Sequence, residues 1–229
     1  MNTLKELLIQ SYRKGDLSQL KSLITKGVDI HSNDDYALRW AALNGHLETV
    51  KYLVKDCGAD VHARDDEALR NAAEEGHLEV VKYLVSNGAN IYARDDYALR
   101  WAAEEGHLEI VKYLIEDCDA DVHARDDYAL RWAAYYGHLE VVKYLVSNGA
   151  NIYARDDYAL RNKTAHNEHL EIVKYLKTYK LIQFTKKHID KQKRIEKSNQ
   201  VFKQIRALPG IGIDYLYAFE HFNHLKTIY

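Results

Sequence analysis

The chain has 229 residues, 47% of them hydrophobic and 29% charged, a balance that excludes a disordered polypeptide and predicts a folded, soluble protein. The net charge of −2 conceals an asymmetry. Residues 1–176 carry 21 Lys and Arg against 30 Asp and Glu, whereas residues 177–229 carry 11 against 4. This change from an acidic body to a basic tail predicts a domain boundary near Tyr179.

The N-terminal segment is predicted to be a helical cap and not a targeting signal. Lys5 and Glu6 interrupt its apolar positions, so it lacks the continuous hydrophobic region of a signal peptide. No run elsewhere is long enough for a transmembrane helix, so no membrane partner is expected. Gly15 stands in the frame of Gly45, which makes residues 1–33 an early, atypical copy of the repeat that follows.

An internal repeat dominates the chain. The doublet Asp-Asp recurs at spacings of 31, 30, 31 and 30 residues, beginning at Asp34, Asp65, Asp95, Asp126 and Asp156. Residues 34–64 match 95–125 at all but 6 of 31 positions, and residues 65–94 match 126–155 at all but 4 of 30, so a pair of repeats has been duplicated. The predicted organisation is a solenoid over residues 1–179 and a basic helical extension over residues 180–229. The solenoid units are 1–33, 34–64, 65–94, 95–125, 126–155 and 156–179.

The first half of each unit is predicted to be a helix. Leu38, Ala41, Ala42 and Gly45 follow the i, i+3, i+4, i+7 spacing of one helix face, and Asp35 is the expected N-cap. Gly45 is expected to end this helix.

The second half of each unit is predicted to be an antiparallel helix from Leu47 to Val54 that ends at Gly58, where a positive φ is expected. Asp119 replaces this glycine in the fourth unit, and Asp tolerates that conformation less well than Gly. A short helix pair cannot bury both apolar sides alone, so stacked units are expected to share one core.

Three motifs carry a resemblance to a known family. The segments AALNGHLE at 41–48, GADVHA at 58–63 and VVKYLV at 80–85 resemble ankyrin repeats, over about residues 3–176. The chain is particularly similar to the short-unit ankyrin-repeat proteins of giant DNA viruses of the Mimivirus type. The resemblance implies an all-α solenoid of helix-turn-helix units with shortened hairpins, since Tyr-Ala-Leu-Arg at 36–39 replaces the usual Thr-Pro-Leu-His. It also implies that the protein binds other proteins.

A second face of the first helices is predicted to bind the partner. At 100° per residue, Trp40 lies about 200° from the core residue Leu38, so it points away from the core. In the family this face lines a concave groove, and Trp and Tyr are common binding hot spots. The predicted partner-binding residues are Tyr36, Trp40, Leu43, Glu67, Asn71, Glu74, Tyr97, Trp101, Glu104, Tyr128, Trp132, Tyr135 and Tyr136. Packing on neighbouring repeats is the alternative role for these aromatic residues.

Differences between the duplicated pairs favour the binding hypothesis. The two duplicated pairs differ at ten positions in all. Six of these differences fall at outward first-helix positions, namely 43, 44, 67, 71, 74 and 75. The scaffold therefore stayed constant while this face changed, although drift at a surface would give a similar pattern.

Metal, cofactor and catalytic sites are not predicted. The histidines that recur once per unit, from His46 to His169, are expected to be spaced by the 8–10 Å between packed helices, too far apart to share a zinc ion. The Asp doublets are explained by helix capping, and the arginines that follow them by salt bridges within and between repeats. The sequence has no Gly-rich phosphate-binding loop after a strand and no Cys-His pair at matched repeat positions, so the protein is not predicted to be an enzyme.

The basic extension suggests an alternative function. Residues 177–206 hold ten Lys and Arg against two acidic residues and precede Leu-Pro-Gly-Ile-Gly at 208–212. That pentapeptide resembles the hairpin of a helix-hairpin-helix DNA-binding motif, but Asp214 and Glu220 follow where basic residues are typical. Nucleic-acid binding is therefore the alternative. The preferred prediction is a monomeric, non-enzymatic adaptor, placed inside the cell because Cys57 and Cys118 occupy equivalent repeat positions and cannot form a disulfide.

Overall fold

The computed structural model describes residues 4–161 and 169–206. Twelve α-helices and no strands are found in these ranges, which confirms the all-α prediction. None of the helices described is both long enough and apolar enough to span a membrane. The chain divides into two compact units, Met1–Lys177 and Thr178–Tyr229.

The helices of the first unit alternate between two rows. The first helices of the repeats are α1 (Leu4–Lys14), α3 (Ser32–Leu43), α5 (Ala63–Glu74), α7 (Ala93–Glu104), α9 (Ala124–Tyr136) and α11 (Ala154–Arg161). The second helices are α2 (Leu17–Thr25), α4 (Leu47–Lys55), α6 (Leu78–Ser86), α8 (Leu108–Glu116) and α10 (Leu139–Ser147), followed by α12 (Leu170–Arg206). From α1 to α9, each first helix packs against the next first helix and against its own second helix.

The core is continuous along the stack, as predicted. Leu38, Ala41 and Ala42 are fully buried on α3, and Leu53 is fully buried on α4. The alanines let neighbouring first helices approach closely, while the larger Leu and Val side chains fill the space between the two rows. Because the same residues recur in each unit, each repeat buries its apolar face against its neighbours.

The expected N-cap role of Asp35 is wrong. Asn33, Asp34 and Asp35 form a left-handed turn with φ of 57°, 56° and 53°, whereas an N-cap residue has extended backbone angles. The Asp35 carboxylate instead accepts hydrogen bonds from the backbone N–H of Asp60 at 3.1 Å and from His31 Nδ1 at 2.7 Å. It therefore ties the start of the first helix to the loop that ends the unit.

The predicted positive φ at the end of the second helices is confirmed. Gly58, Gly88 and Gly149 have φ of 75°, 95° and 95°, and Asp119 adopts φ 57° in the same frame. This left-handed residue reverses the chain at the end of each second helix.

The last repeat is described only in part. Helix α11 ends at Arg161, and α12 begins at Leu170 and continues to Arg206. The sequence predicts a distorted terminal repeat at 162–169, where one extra residue is present, and a final helix at about 214–226. Of these segments the structure describes only His169, and the pentapeptide at 208–212 also lies outside the described residues.

Candidate functional site

The predicted partner-binding residues form a row across consecutive first helices, here called the first-helix surface. It comprises the thirteen residues named above on α3, α5, α7 and α9. Eleven of them are half-buried, Tyr136 is 48% exposed and Glu104 is buried. The surface is therefore neither part of the core nor freely solvated.

Glu104 is a correction to the predicted exposed set, because only 6% of it is accessible. The Tyr128 hydroxyl of the next repeat donates a hydrogen bond of 2.8 Å to its carboxylate and covers it. Burial raises the pKa of Glu104, and nearby Glu105 raises it further, while the hydrogen bond from Tyr128 opposes the shift. Glu104 supports the surface from beneath and does not present a free charge.

An alternating stack of arginine and tyrosine side chains underlies this surface. The Arg100 guanidinium lies 5.5 Å from the centre of the Tyr97 ring and 4.9 Å from that of Tyr128 in the next repeat. Arg131 likewise lies 5.6 Å from Tyr128 and 5.3 Å from Tyr158. These contacts are cation–π interactions that join adjacent repeats. The tyrosines thus have a packing role, which was the alternative considered for them.

The predicted salt bridges of these arginines are mostly wrong. Among Arg39, Arg70, Arg100 and Arg131, whose side chains the structure describes, Arg39 alone keeps one, to Glu67 at 2.8 Å. Arg100 donates instead to the backbone carbonyls of Asp95 and Arg94, both at 2.7 Å. The left-handed turn before each first helix points its carbonyls at the guanidinium, which satisfies the buried charge by hydrogen bonding.

The other salt bridges between the described repeats are made by a different row of arginines, located just before the Asp doublets. Arg94 pairs with Asp65 at 3.0 Å, and Arg125 pairs with Asp95 at 2.9 Å. All four side chains are more than half exposed, so each pair contributes at most about 1 kcal/mol.

The three tryptophans have different surroundings. Trp40 is covered by the Arg13 guanidinium, 4.2 Å from the ring centroid. Trp101 stacks on Tyr97, with ring centroids 5.2 Å apart and planes inclined by 29°. Trp132 lies within 6.3 Å of four tyrosine rings, namely Tyr128, Tyr135, Tyr136 and Tyr158.

The sequence also predicts that the largest exposed apolar area lies over the fourth and fifth repeats, around Trp101 and Trp132. Stacking half-buries Trp101, Trp132 and most of the tyrosines around them. The most exposed large apolar side chains belong to α12, where Leu181 is 64% and Phe184 is 60% exposed.

An open pocket interrupts the aromatic row. It has a volume of about 480 Å³ and lies where Glu67 and Asn71 replace the Tyr and Trp of the other repeats. Its lining also includes Arg64, Arg70 and Arg94. The smaller polar side chains leave room for a polar group between Trp40 and Trp101.

The geometry described above agrees with a comparison with known families. The family model of ankyrin repeats, in a form that spans three copies, matches residues 7–95 and 93–156. This match covers more than half of the chain. The chain belongs to the ankyrin-repeat family.

Ankyrin-repeat proteins generally mediate protein–protein interactions and are generally non-enzymatic scaffolds. The described residues of this ankyrin-repeat protein contain no group of three or more His, Cys, Asp or Glu side chains that could hold a metal ion. The recurring histidines join the repeats. The His77 ring packs on Gly45 of the preceding repeat, and its Nε2 donates to the Leu43 carbonyl at 3.0 Å.

The structure of the ankyrin stack shows contacts that the sequence analysis missed. Arg13 on Trp40 and the arginines between the tyrosines were not predicted as ring partners. The sequence contains a signal for the second of these contacts, because Tyr and Arg recur three residues apart in most units, as in Tyr97 and Arg100. A Tyr and an Arg three residues apart lie on the same face of a helix and can contact each other.

Proposed function

We propose that this ankyrin-repeat protein is a non-enzymatic adaptor that binds a segment of another protein across the first-helix surface. The observation that supports this proposal is the row of half-buried aromatic rings on α7 and α9, centred on Trp101 and Trp132. Rigid aromatic side chains bury much area at a small entropic cost when a partner covers them.

The charges around this row favour a partner with apolar anchors and basic flanks. Exposed Glu75 and Glu105 and half-buried Glu74 border the aromatic residues. Charges at the edge of an interface mainly affect the association rate and its salt dependence, whereas buried aromatic anchors mainly affect dissociation. The aromatic residues would therefore hold the partner and the glutamates would steer it.

The wider description of the protein follows from the same hypothesis. It would act as a monomer inside the cell, with the solenoid of residues 1–179 as the binding part and residues 180–229 as an accessory basic extension. The short repeat unit supports a relation to the ankyrin-repeat proteins of giant DNA viruses.

Aromatic substitutions test the binding surface. Full-length parent, Trp101→Ala and Trp132→Ala proteins would be used for affinity capture, and the Kd of each purified partner would then be measured. We expect each substitution to weaken binding by about 2 kcal/mol or more, roughly 30-fold, because it removes a central anchor. Tyr83→Ala on α6 is the control, since it removes a half-buried aromatic ring from a second helix.

Thermal unfolding of the free variants completes this test. Lost stability with unchanged affinity per folded molecule would show that the tryptophans only pack the solenoid, and the proposal would then be abandoned. Capture by the parent and by a protein lacking residues 180–229 shows which part selects the partner.

Nucleic-acid binding by the extension is the second candidate, because exposed basic side chains such as Lys187, Lys191 and Arg194 follow one another along α12. Such binding would weaken steeply with salt as counterions return to the phosphates. We expect no specific complex. A submicromolar complex at about 150 mM salt that disappears on deletion of residues 180–229 would favour this candidate instead.

A further inference from the structure

The contact between Arg13 and Trp40 shows how the first-helix surface holds a guanidinium. Arg13 is near the end of α1, and its guanidinium lies 4.2 Å from the centre of the Trp40 ring on α3. A planar guanidinium stacks well on an indole and keeps its N–H groups free for hydrogen bonds at its edge. In this place the chain supplies both the ring and the cation.

The repeat frame places an acidic residue at the same position beside the other tryptophans. Arg13 lies two residues before Gly15, and the residues two before Gly76 and Gly106 are Glu74 and Glu104. Since the units stack in the same way, Glu74 is related to Trp101 as Arg13 is related to Trp40. The chain therefore supplies no cation of its own there.

The charges around Trp101 are unbalanced. Burial raises the pKa of Glu74, and the neighbouring carboxylates of Glu75, Glu105 and Glu104 raise it further, while a hydrogen bond from Tyr97 opposes the shift. Within residues 4–161 and 169–206, no salt bridge involves Glu74, Glu75 or Glu105, and no cationic side chain lies over Trp101. An indole and several carboxylates thus lie together without a positive partner from the described chain.

The other two tryptophans lack this combination. Trp40 is already covered by Arg13. Trp132 is surrounded by four tyrosine rings, and the equivalent acidic residue, Glu104, is buried beneath Tyr128. Trp101 stacks on Tyr97, and half-buried Glu74, which hydrogen-bonds to Tyr97, is placed beside the indole by the repeat frame.

We propose that Trp101, together with Glu74 and Glu105, binds an arginine side chain of the partner segment. The guanidinium would stack on the indole as Arg13 stacks on Trp40, and its edge would donate hydrogen bonds to the Glu74 and Glu105 carboxylates. Arginine is favoured over lysine because the cations found against aromatic rings of the first helices are guanidiniums, those of Arg13, Arg39, Arg70, Arg100 and Arg131. The inference rests on the proposed function and specifies the chemistry of its ligand.

The test uses the tryptophan indole N–H signals of the full-length, ¹⁵N-labelled protein, assigned by Trp→Phe substitution. N-acetyl-arginine methylamide is the probe, and its citrulline analogue, which is neutral and of the same shape, is the control. We expect arginine to shift the Trp101 signal saturably and the citrulline compound to bind at least about tenfold more weakly. Equal responses to the two compounds, or no response at Trp101, would overturn the proposal.

Two charge exchanges sharpen the test. Glu74→Arg places a guanidinium of the chain itself at the Trp101 position, so it should abolish the response of that signal. Arg13→Glu uncovers Trp40 beside a carboxylate, so the Trp40 signal should begin to respond. An undiminished Trp101 response in Glu74→Arg, with the other indole signals unchanged and the fold therefore intact, would also overturn the proposal.

Failure of this inference is distinguishable from failure of the proposed function. If Trp101→Ala loses the partner but the parent does not respond to arginine, the arginine site is wrong and the binding surface stands. If arginine saturates Trp101 but Trp101→Ala retains the partner, the arginine site stands and the binding surface is wrong.

Discussion

The Arg100 guanidinium lies 4.9 Å from the centre of the Tyr128 ring and joins the fourth repeat to the fifth. The same guanidinium is held from its own repeat by the carbonyls of Asp95 and Arg94. A buried charge that is hydrogen bonded on one side and stacked on the other is strongly restricted in position. The aromatic rings of the first-helix surface are therefore fixed by the arginines beneath them, which reduces the entropy lost when a partner binds.

Arg100→Lys should destabilise the protein by about 2 kcal/mol, because an ammonium cannot keep two carbonyl bonds in the same plane while it stacks between two rings. Chemical denaturation measures the change. Arg125→Lys is the matched control, since Arg125 is more than half exposed and pairs with Asp95, so this change should be within about 0.5 kcal/mol. Equal losses of unfolding free energy in the two variants would show that stacking of Arg100 between the tyrosine rings does not stabilise the protein.

Gly45→Ala should destabilise more than Gly58→Ala. Both glycines have positive φ, 72° and 75°, so both substitutions carry a backbone strain of about 1–2 kcal/mol. A Cβ at Gly45 would also lie 2.5 Å from the His77 ring, whereas nothing lies within 4 Å of a Cβ at Gly58. His77 would have to move and weaken its hydrogen bond to the Leu43 carbonyl, a further loss of about 1 kcal/mol. Similar unfolding free energies for the two variants would contradict an inter-repeat role for His77.

The helix pairs could be predicted from the sequence because their signals are local. The spacing of Leu38, Ala41 and Ala42 defines a buried face, and the recurrence of Gly45 and Gly58 defines where helices end. The recurrence of these signals in consecutive units also fixes the frame of the repeat, which no single unit would do.

The roles of individual polar residues could not be predicted, because they depend on the neighbouring repeat or on a distant loop. An aspartate such as Asp35 is suited both to an N-cap and to a left-handed turn. The left-handed turn is favoured by the hydrogen bond from the Asp60 N–H, 25 residues further along the chain. Glu104 points outward on its own helix, but Tyr128 of the next repeat covers it. In a solenoid the neighbouring unit decides what an outward position contacts.

Asp119→Gly should be neutral or stabilising by up to about 1 kcal/mol, because Asp119 has φ 57° and glycine adopts this conformation without a Cβ clash. Thermal unfolding measures the change. Gly149→Val is the opposite control, since it places a β-branched residue at φ 95° and should destabilise clearly. A lower Tm for Asp119→Gly would reveal a stabilising partner of the Asp119 carboxylate.

Glu104→Gln should stabilise the protein at neutral pH, and the advantage should shrink as the pH falls. Burial raises the folded-state pKa of Glu104 above its ordinary value of 4.5, so between these two values the folded protein binds more protons than the unfolded chain. The stability of the protein therefore falls as the pH rises through this window. Above the folded-state pKa, the destabilisation caused by ionised, buried Glu104 is complete. Glutamine removes the ionisation while its carbonyl oxygen still accepts a hydrogen bond from the Tyr128 hydroxyl.

Urea denaturation of the parent and of Glu104→Gln, at neutral pH and near pH 4.5, measures the difference in unfolding free energy. Glu109→Gln is the control, because the Glu109 carboxylate is 68% exposed and pairs with Lys112 at the surface. If the difference in unfolding free energy between the parent and Glu104→Gln did not change with pH, Glu104 would act through packing and not through its charge.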